Sequence, residues 1–348
     1  MLNKGIQRTR NYAGLGYNSR PFCVAIEPMP ATARAQPNIA LIKYWGKRDS
    51  HRNLPAVGSI SITLADLFTT MRVEFDDSLR DDLLIVNGRA NEEMLPRIRR
   101  CLDRVAGAHR HPARIDSASN FPIAAGLASS ASAFAALVVA ADAAAGQKHD
   151  TAHLARLAGS ASGSAARSLY GGYAELENSG DDIAVRCLRS AADWPLRVVV
   201  AITALGPKPV GSTAAMEISR KTSPFYSRWV EQQPLDLAEA GNAIAERDFA
   251  KLAAIAEHNC LKMHSVMWGS RPPMIYWNSV TLACMQAVRE LQSQGVAVFF
   301  TIDAGPQVKA ICESADESRV RDAFVATSGV KDVLASGLGD GAALIAND

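Results

Sequence analysis

The sequence predicts two α+β domains, and three observations carry that expectation. At 348 residues the chain is long for a single hydrophobic core. Strand-like runs open the chain, whereas its second half reads as helices around a small apolar sheet, an α+β layering. The pattern changes at residues 193–195, so 31–194 and 195–348 are expected as separate domains, with 1–30 as an N-terminal extension.

In order along the chain, residues 59–64 (SISITL) alternate with period two, as a half-buried strand does. Residues 71–75 and 83–86 follow as strands, with a tight turn at Asn87-Gly88. Residues 92–105 carry apolar positions at helical spacing, and Pro96 fits only in the first turn. Ile115 suits a short strand leading into a loop at 119–130. An alanine-rich helix at 131–145 ends at Gly146, and a helix at 151–160 is capped by Asp150 or Thr151. In the second half a strand is expected at 196–203 and helices at 223–232, 235–246, 248–267 and 276–294. Strands at 296–302 and 308–311 flank Asp303-Ala-Gly-Pro306, then a helix at 315–327 and two short strands close the chain. The glycines of 337–341 read as a turn between those strands.

Bulk properties exclude several classes. With 48% hydrophobic and 21% charged residues, the composition is that of a globular protein rather than a disordered chain. A formal charge of +2, with acids and bases interspersed, argues against nucleic acid as a partner. No window approaches the roughly 18 to 20 apolar residues of a membrane span, and residues 1–30 lack the apolar run of a secretory signal. The six cysteines show no zinc-ligand spacing and read as inert buried thiols of a cytoplasmic protein. Seven histidines form no HExxH and have no tight acid partner. His149 and His153, at i,i+4, lack a third ligand.

The most informative stretch is NFPIAAGLASSAS at 120–132. Small residues let the backbone approach a ligand. The loop runs into a helix whose first N–H groups have no internal partner, so donors, dipole and serine hydroxyls converge on an anion. It matches neither GxxxxGK[ST] nor GxGxxG, which speaks against P-loop and Rossmann enzymes. Residues 160–164 (SASGS) are not the elbow of a serine hydrolase.

With NIALIKYWGKRD at 38–49, FPIAAGLASS at 121–130, SGSAARSLYGG at 162–172, GST at 211–213 and DAGP at 303–306, the chain resembles diphosphomevalonate decarboxylases of the GHMP kinase superfamily. The likeness spans residues 35 to 345 with its motifs in order. It implies the two-domain GHMP kinase fold. In that fold a ribosomal-protein-S5-like N-terminal domain meets a ferredoxin-like α/β C-terminal domain across the active-site cleft. It further implies ATP and Mg2+, a phosphorylated mevalonate as substrate, a homodimer, and a cytoplasmic enzyme that phosphorylates the C3 hydroxyl and then releases carbon dioxide.

By the same resemblance Asp303 is the catalytic carboxylate, placed to orient a tertiary alcohol and accept its proton. Arg167 holds the C1 carboxylate through its planar fork, and Lys43 stands beside the carboxylate and the transferring phosphate. Tyr44, Trp45, Gly46, Lys47, Ser162, Gly163, Ser164, Ala165, Ala166 and Thr213 match positions around the substrate. Ala125, Gly126, Leu127, Ala128, Ser129 and Ser130 match the ATP-phosphate loop, with Ser130 nearest the metal. The chain also departs from the pattern. Val57-Gly58 replaces an Asn-Ser pair, Gln307 replaces an Asn, and Glu217 stands where Arg or a neutral amide is common. Leu83 stands where a phosphate-contacting Arg is expected, with Arg80 nearby. A 5-monophosphate or unphosphorylated mevalonate, a C3 kinase without elimination, and a catalytically silent ligand-binding protein on this fold are therefore competing readings.

Overall fold

The computed structural model describes residues 29–121, 129–206 and 208–346. The first half runs β1 (Ala31–Ala35), β2 (Asn38–Ile42), β3 (Lys47–Asp49), β4 (Leu54–Pro55), β5 (Ser59–Thr63), β6 (Thr69–Phe75), β7 (Leu83–Val86), β8 (Arg89–Ala90), α1 (Leu95–Ala106), β9 (Ala113–Ser119), α2 (Ser129–Ala144), α3 (Thr151–Ala161), β10 (Tyr173–Ser179) and β11 (Asp182–Arg189). The second half runs β12 (Arg197–Ile202), α4 (Ser212–Thr222), α5 (Tyr226–Glu246), α6 (Phe249–Trp268), α7 (Ser279–Ser293), β13 (Val298–Ile302), β14 (Val308–Cys312), α8 (Glu317–Ala326), β15 (Asp332–Gly337) and β16 (Ala343–Ile345).

Two sheets organise the first half, in the orders β16-β1-β6-β9-β7-β8 and β11-β10-β5-β2, and a third, β13-β14-β12-β15, organises the second. Helix α2 lies between layers and is buried almost all round, because its alanines leave room for close neighbours. Strands β2 and β5 are buried along their whole length. Ile39, Leu41, Ile60 and Ile62 pack against Val198, Val200 and Phe299 of the third sheet and against Ile244, Leu252 and Ile255 of α5 and α6. The two halves thus share an apolar layer, and that layer fixes the cleft described below. Burial of this kind contributes roughly 1.5–3 kcal/mol per large side chain.

Several elements differ from expectation for identifiable reasons. One helix, α5, runs through Pro234 where two were expected. The bend proline imposes is tolerated because Gln233 donates to the Lys43 carbonyl at 2.7 Å and accepts from Asn259 at 2.9 Å, pinning the helix at that turn. Hairpin β10–β11 and helix α4 escape apolar periodicity because their outer faces carry Glu177, Arg186, Glu217 and Arg220. Asp150, not Thr151, caps α3. Strand β16 pairs with β1, so the chain's end returns to the first-half sheet instead of staying with 195–342. The turn at 337–341 also ties the halves together, Gly172 donating to the Gly339 carbonyl at 2.9 Å. Cys101, Cys260, Cys284 and Cys312 are buried as expected, but Cys187 is exposed. No helix among the described residues is long and apolar enough to cross a membrane.

Candidate active site

Strands β13 and β14 are fully buried, which accounts for a sequence that is apolar except at Thr301 and Lys309. Asp303 is the first residue beyond β13. Its carboxylate has 27% of its side chain open, while two lysines close the other side. Lys43, just past β2, places Nζ 2.7 Å from Oδ1, and Lys309 in β14, paired with Thr301, places Nζ 3.1 Å from Oδ2. Burial alone would raise the pKa of Asp303. The ammonium groups of Lys309 and Lys43 outweigh it and hold the carboxyl well below the usual carboxylate range. Burial lowers the pKa of Lys309, and Asp303 partly restores it. Lys43 also donates to the Ala40 carbonyl at 2.8 Å, and its backbone N–H donates to Asn259 at 2.8 Å.

Arg167 is 1% exposed. The alternation in β5 puts Ser59 and Ser61 on one face and Ile60 and Ile62 on the other. The two hydroxyls therefore meet the guanidinium: Nε donates to Ser61 at 2.9 Å, one terminal nitrogen to Ser59, and the other to Asn38 at 3.2 Å. A guanidinium has five N–H donors, so two remain. Among the described residues no carboxylate lies within 4.0 Å of it, and the side chain lines the cleft. Burial pushes its pKa down to about 10, with Asp303 and Tyr44 opposing, so it stays charged at neutral pH. A desolvated cation with a free edge suits a bidentate carboxylate.

The cleft itself is about 1250 Å3. Tyr44, Trp45, Lys47, Ser129, Ser130, Ser162, Gly163, Ser164 and Thr213 all line it. Lys47 donates to Thr213 at 3.3 Å, and the Ser130 and Ser162 hydroxyls are 3.4 Å apart at the mouth of α2. A side chain at Gly163 would collide with the Tyr44 hydroxyl, 2.6 Å from its Cβ position. That hydroxyl is buried without a hydrogen-bond partner among the described residues.

Other expected residues stand away from the cleft wall or outside the described residues. Gly46, Ala165 and Ala166 do not line the cleft. Gly46 turns at φ +106° against Tyr226, and the two alanines are wholly buried in the first-half core. Trp45 reaches the cleft wall, but its indole N–H is held by Ser219 at 3.1 Å. Ala125, Gly126, Leu127 and Ala128 lie outside the described residues. Neither Leu83 nor Arg80 lines the cleft, and Arg80 is exposed. Gln307 lines it, yet its amide is taken up by backbone: Oε1 accepts from Thr203 N–H at 2.6 Å and Nε2 donates to the Ala204 carbonyl at 2.7 Å.

Residues the sequence reading did not single out complete the site. Besides Lys309, Lys208 donates to Ser212 at 2.6 Å and to the Ala304 carbonyl at 2.9 Å, and Arg97 of α1 reaches the wall. Among the described residues no group of three or more His, Cys, Asp or Glu could hold a metal. His149, expected to lack an acid partner, meets Asp142 Oδ1 at 2.6 Å. His264 is buried against the Ile302 carbonyl at 3.1 Å, its pKa pushed down to about 3 by burial, which keeps it neutral. Met263 lines the cleft and Met267 packs in the core behind it.

Comparison with known proteins gives the same answer over both halves. A family model described as "Diphosphomevalonate decarboxylase-like N-terminal domain" matches residues 35–187. Another, "Mevalonate 5-diphosphate decarboxylase C-terminal domain", matches residues 198–336. The chain is 34% identical over 311 residues to the diphosphomevalonate decarboxylase of Candida albicans, covering 83% of this chain and 86% of that one. It superposes on the crystal structure of mevalonate diphosphate decarboxylase from Staphylococcus aureus with a TM-score of 0.86 at 36% identity, over 91% of this chain and 98% of that one. A structure described as MDDEF in complex with MVAPP, AMPPCP and magnesium gives 0.84 at 33% identity, over 91% and 99%.

Proposed function

The chain belongs to the diphosphomevalonate decarboxylase family, and from that premise we propose that its cleft performs the ATP-dependent decarboxylation of (R)-5-diphosphomevalonate. The products are isopentenyl diphosphate, ADP, phosphate and carbon dioxide. The observation that carries the assignment of roles is the facing of Asp303, clamped by two lysines, and Arg167, which keeps two free donors.

The residues divide the work. Asp303 orients the C3 hydroxyl toward the terminal phosphorus of ATP and takes its proton as the O–P bond forms. Because the carboxylate is held ionised and weakly basic, the proton moves late, when the hydroxyl oxygen has already lost electron density to phosphorus. Lys43 and Lys309 keep the carboxylate charged, and Lys43 and Lys208 add positive potential beside the phosphoryl group. Arg167 grips the C1 carboxylate. When the C1–C2 bond breaks, its electron pair forms the C2–C3 double bond, the C3–O bond breaks, and phosphate leaves. Holding C1 fixed while C3 loses its substituent supplies the alignment this elimination needs.

The site fits ATP and Mg2+. Ser129 and Ser130 open helix α2 at the cleft, where their hydroxyls, and the first-turn N–H groups for which a helix has no internal acceptor, suit phosphate oxygens. Magnesium, when bound, neutralises phosphate charge. With no carboxylate cluster among the described residues, the ion would be held mainly by phosphate oxygens and water, with Ser130 the hydroxyl the protein would offer it. A homodimer acting in the cytoplasm is part of the same proposal, by likeness to the family. The test is to incubate the pure protein with ATP, Mg2+ and diphosphomevalonate and to assay ADP, carbon dioxide and isopentenyl diphosphate. ADP without carbon dioxide identifies a C3 kinase, and no turnover identifies a silent binding protein.

A further inference from the structure

Resting on that function, we propose that His264 and Asn259 of α6 are positioning residues that set Asp303 and Lys43 against each other across the two halves of the chain. Neither side chain lines the cleft. Helix α6 packs on both β2 and β13, the strands whose ends carry Lys43 and Asp303. Strand β13 is an edge of its sheet, in the order β13-β14-β12-β15, so every second residue turns its backbone N–H and carbonyl away from β14. Those groups need partners from elsewhere.

A row of side chains on α6 supplies them. Glu257, Cys260 and His264 follow one another at the i, i+3, i+7 spacing of a single helix face. Glu257 Oε1 accepts from the Phe300 N–H at 3.1 Å, Cys260 Sγ accepts from the Ile302 N–H at 3.2 Å, and His264 Nε2 lies 3.1 Å from the Ile302 carbonyl. The row therefore ends on the residue that leads into Asp303. The Cys260 thiol, a weak donor, reaches the same carbonyl at 3.4 Å. We assign the imidazole proton to Nε2, because the other tautomer would set a ring lone pair against that carbonyl. The Trp277 indole N–H also approaches Nε2, at 3.3 Å, and its ring tilts over the imidazole at 4.6 Å between centroids, which holds the ring in place. Nδ1 is buried with no hydrogen-bond partner among the described residues, so the one N–H of the neutral ring is committed to Ile302. From the adjoining face of the helix, Asn259 Oδ1 accepts from the Lys43 N–H at 2.8 Å, while its Nδ2 donates to Gln233 at 2.9 Å and to Asp236. One helix thus carries both registers, His264 for the carboxylate and Asn259 for the ammonium. Apolar side chains could fill the same space, but they would leave the Lys43 N–H unpaired and the Ile302 carbonyl with only a thiol.

The experiment measures kcat, the KM for diphosphomevalonate and for ATP, and the unfolding midpoint in wild type, His264→Phe, His264→Gln and Asn259→Leu, together with a crystal structure of His264→Phe. Phenylalanine keeps a ring beside Trp277 but no donor, and His264→Leu replaces it if it fails to fold. In the donorless variant and in Asn259→Leu, kcat is expected to fall roughly 10- to 100-fold, the loss that a displacement near 1 Å brings. Both KM values stay within about threefold, as loss of an interaction felt only in the transition state requires. Glutamine, whose amide N–H can reach the carbonyl, is expected to restore kcat to within about threefold of wild type. A merely structural His264 would lower the unfolding midpoint and leave kcat in place. The Lys43–Asp303 contact, 2.7 Å in the wild type, is expected to open in the donorless variant. Wild-type kcat in the folded donorless variant or in Asn259→Leu, a glutamine variant as slow as the donorless one, or a contact that stays closed overturns the proposal. A wild type that releases no carbon dioxide overturns the function itself, and the Lys43–Asp303 distance then still decides the role of His264.

Discussion

Lys43 Nζ lies 2.7 Å from Asp303 Oδ1, although 260 residues separate them. One comes from the end of a first-half strand and the other from the end of a second-half strand, so the pair forms only when the halves share their apolar layer. Buried ion pairs are a weak source of stability, since desolvation offsets most of the attraction. A carboxylate held by two buried ammonium groups at the mouth of a large cleft is better explained by chemistry.

Lys309→Met tests the second ammonium. A carboxyl whose folded pKa is depressed adds stability that is present above the unfolded carboxylate range and lost as pH falls through its folded pKa. Removing Lys309 raises the folded pKa of Asp303, so both the acid limb of kcat and acid unfolding should move up by about one pH unit or more. An acid limb that stays in place while only the melting temperature falls would assign Lys309 a purely structural part.

Arg167→Lys keeps a positive charge but loses the fork that engages Ser59, Ser61 and Asn38 together. The kcat should fall by about 100-fold or more, as when a preorganised electrostatic donor is removed. The KM for ATP should be little changed, because the proposed partner of this group is the substrate's C1 carboxylate. Activity within threefold of wild type would show that bidentate gripping is not needed.

Gln307→Ala strips the amide from Thr203 N–H and the Ala204 carbonyl, in a setting where Gln307 is 2% exposed. Leaving those groups unpaired should cost about 2 kcal/mol or more, read from the midpoint of denaturant unfolding. The substrate KM should change by no more than about threefold. An unchanged midpoint with a large rise in substrate KM would return the amide to the ligand side of the cleft.

The sequence made some of this site legible and hid the rest for physical reasons. Asp303, Arg167 and Lys43 stand in motifs whose composition is uncommon, and the structure brings all three to one cleft. Lys309 leaves a single mark, a lysine inside the apolar run VKAIC, and its significance appears only once β13 and β12 flank the strand. Arg97 is one of four arginines in α1, and only the helix's rotation distinguishes it from Arg99, which pairs with Asp82. The alternation of β5 is plain in the sequence, but the guanidinium its serines hold lies more than 100 residues away. Pro234 misleads because side-chain bonds from outside the helix stabilise the turn it weakens.

The central claim, that the clamped carboxylate carries the phosphoryl step on which decarboxylation depends, is tested most directly by following ADP and carbon dioxide together in wild type and Asp303→Asn. Wild type should release both in equal amounts. The folded variant should release both at a rate lower by about 100- to 10,000-fold, the range for removing a positioned general base. A folded Asp303→Asn that produces ADP and carbon dioxide at the wild-type rate would contradict the account.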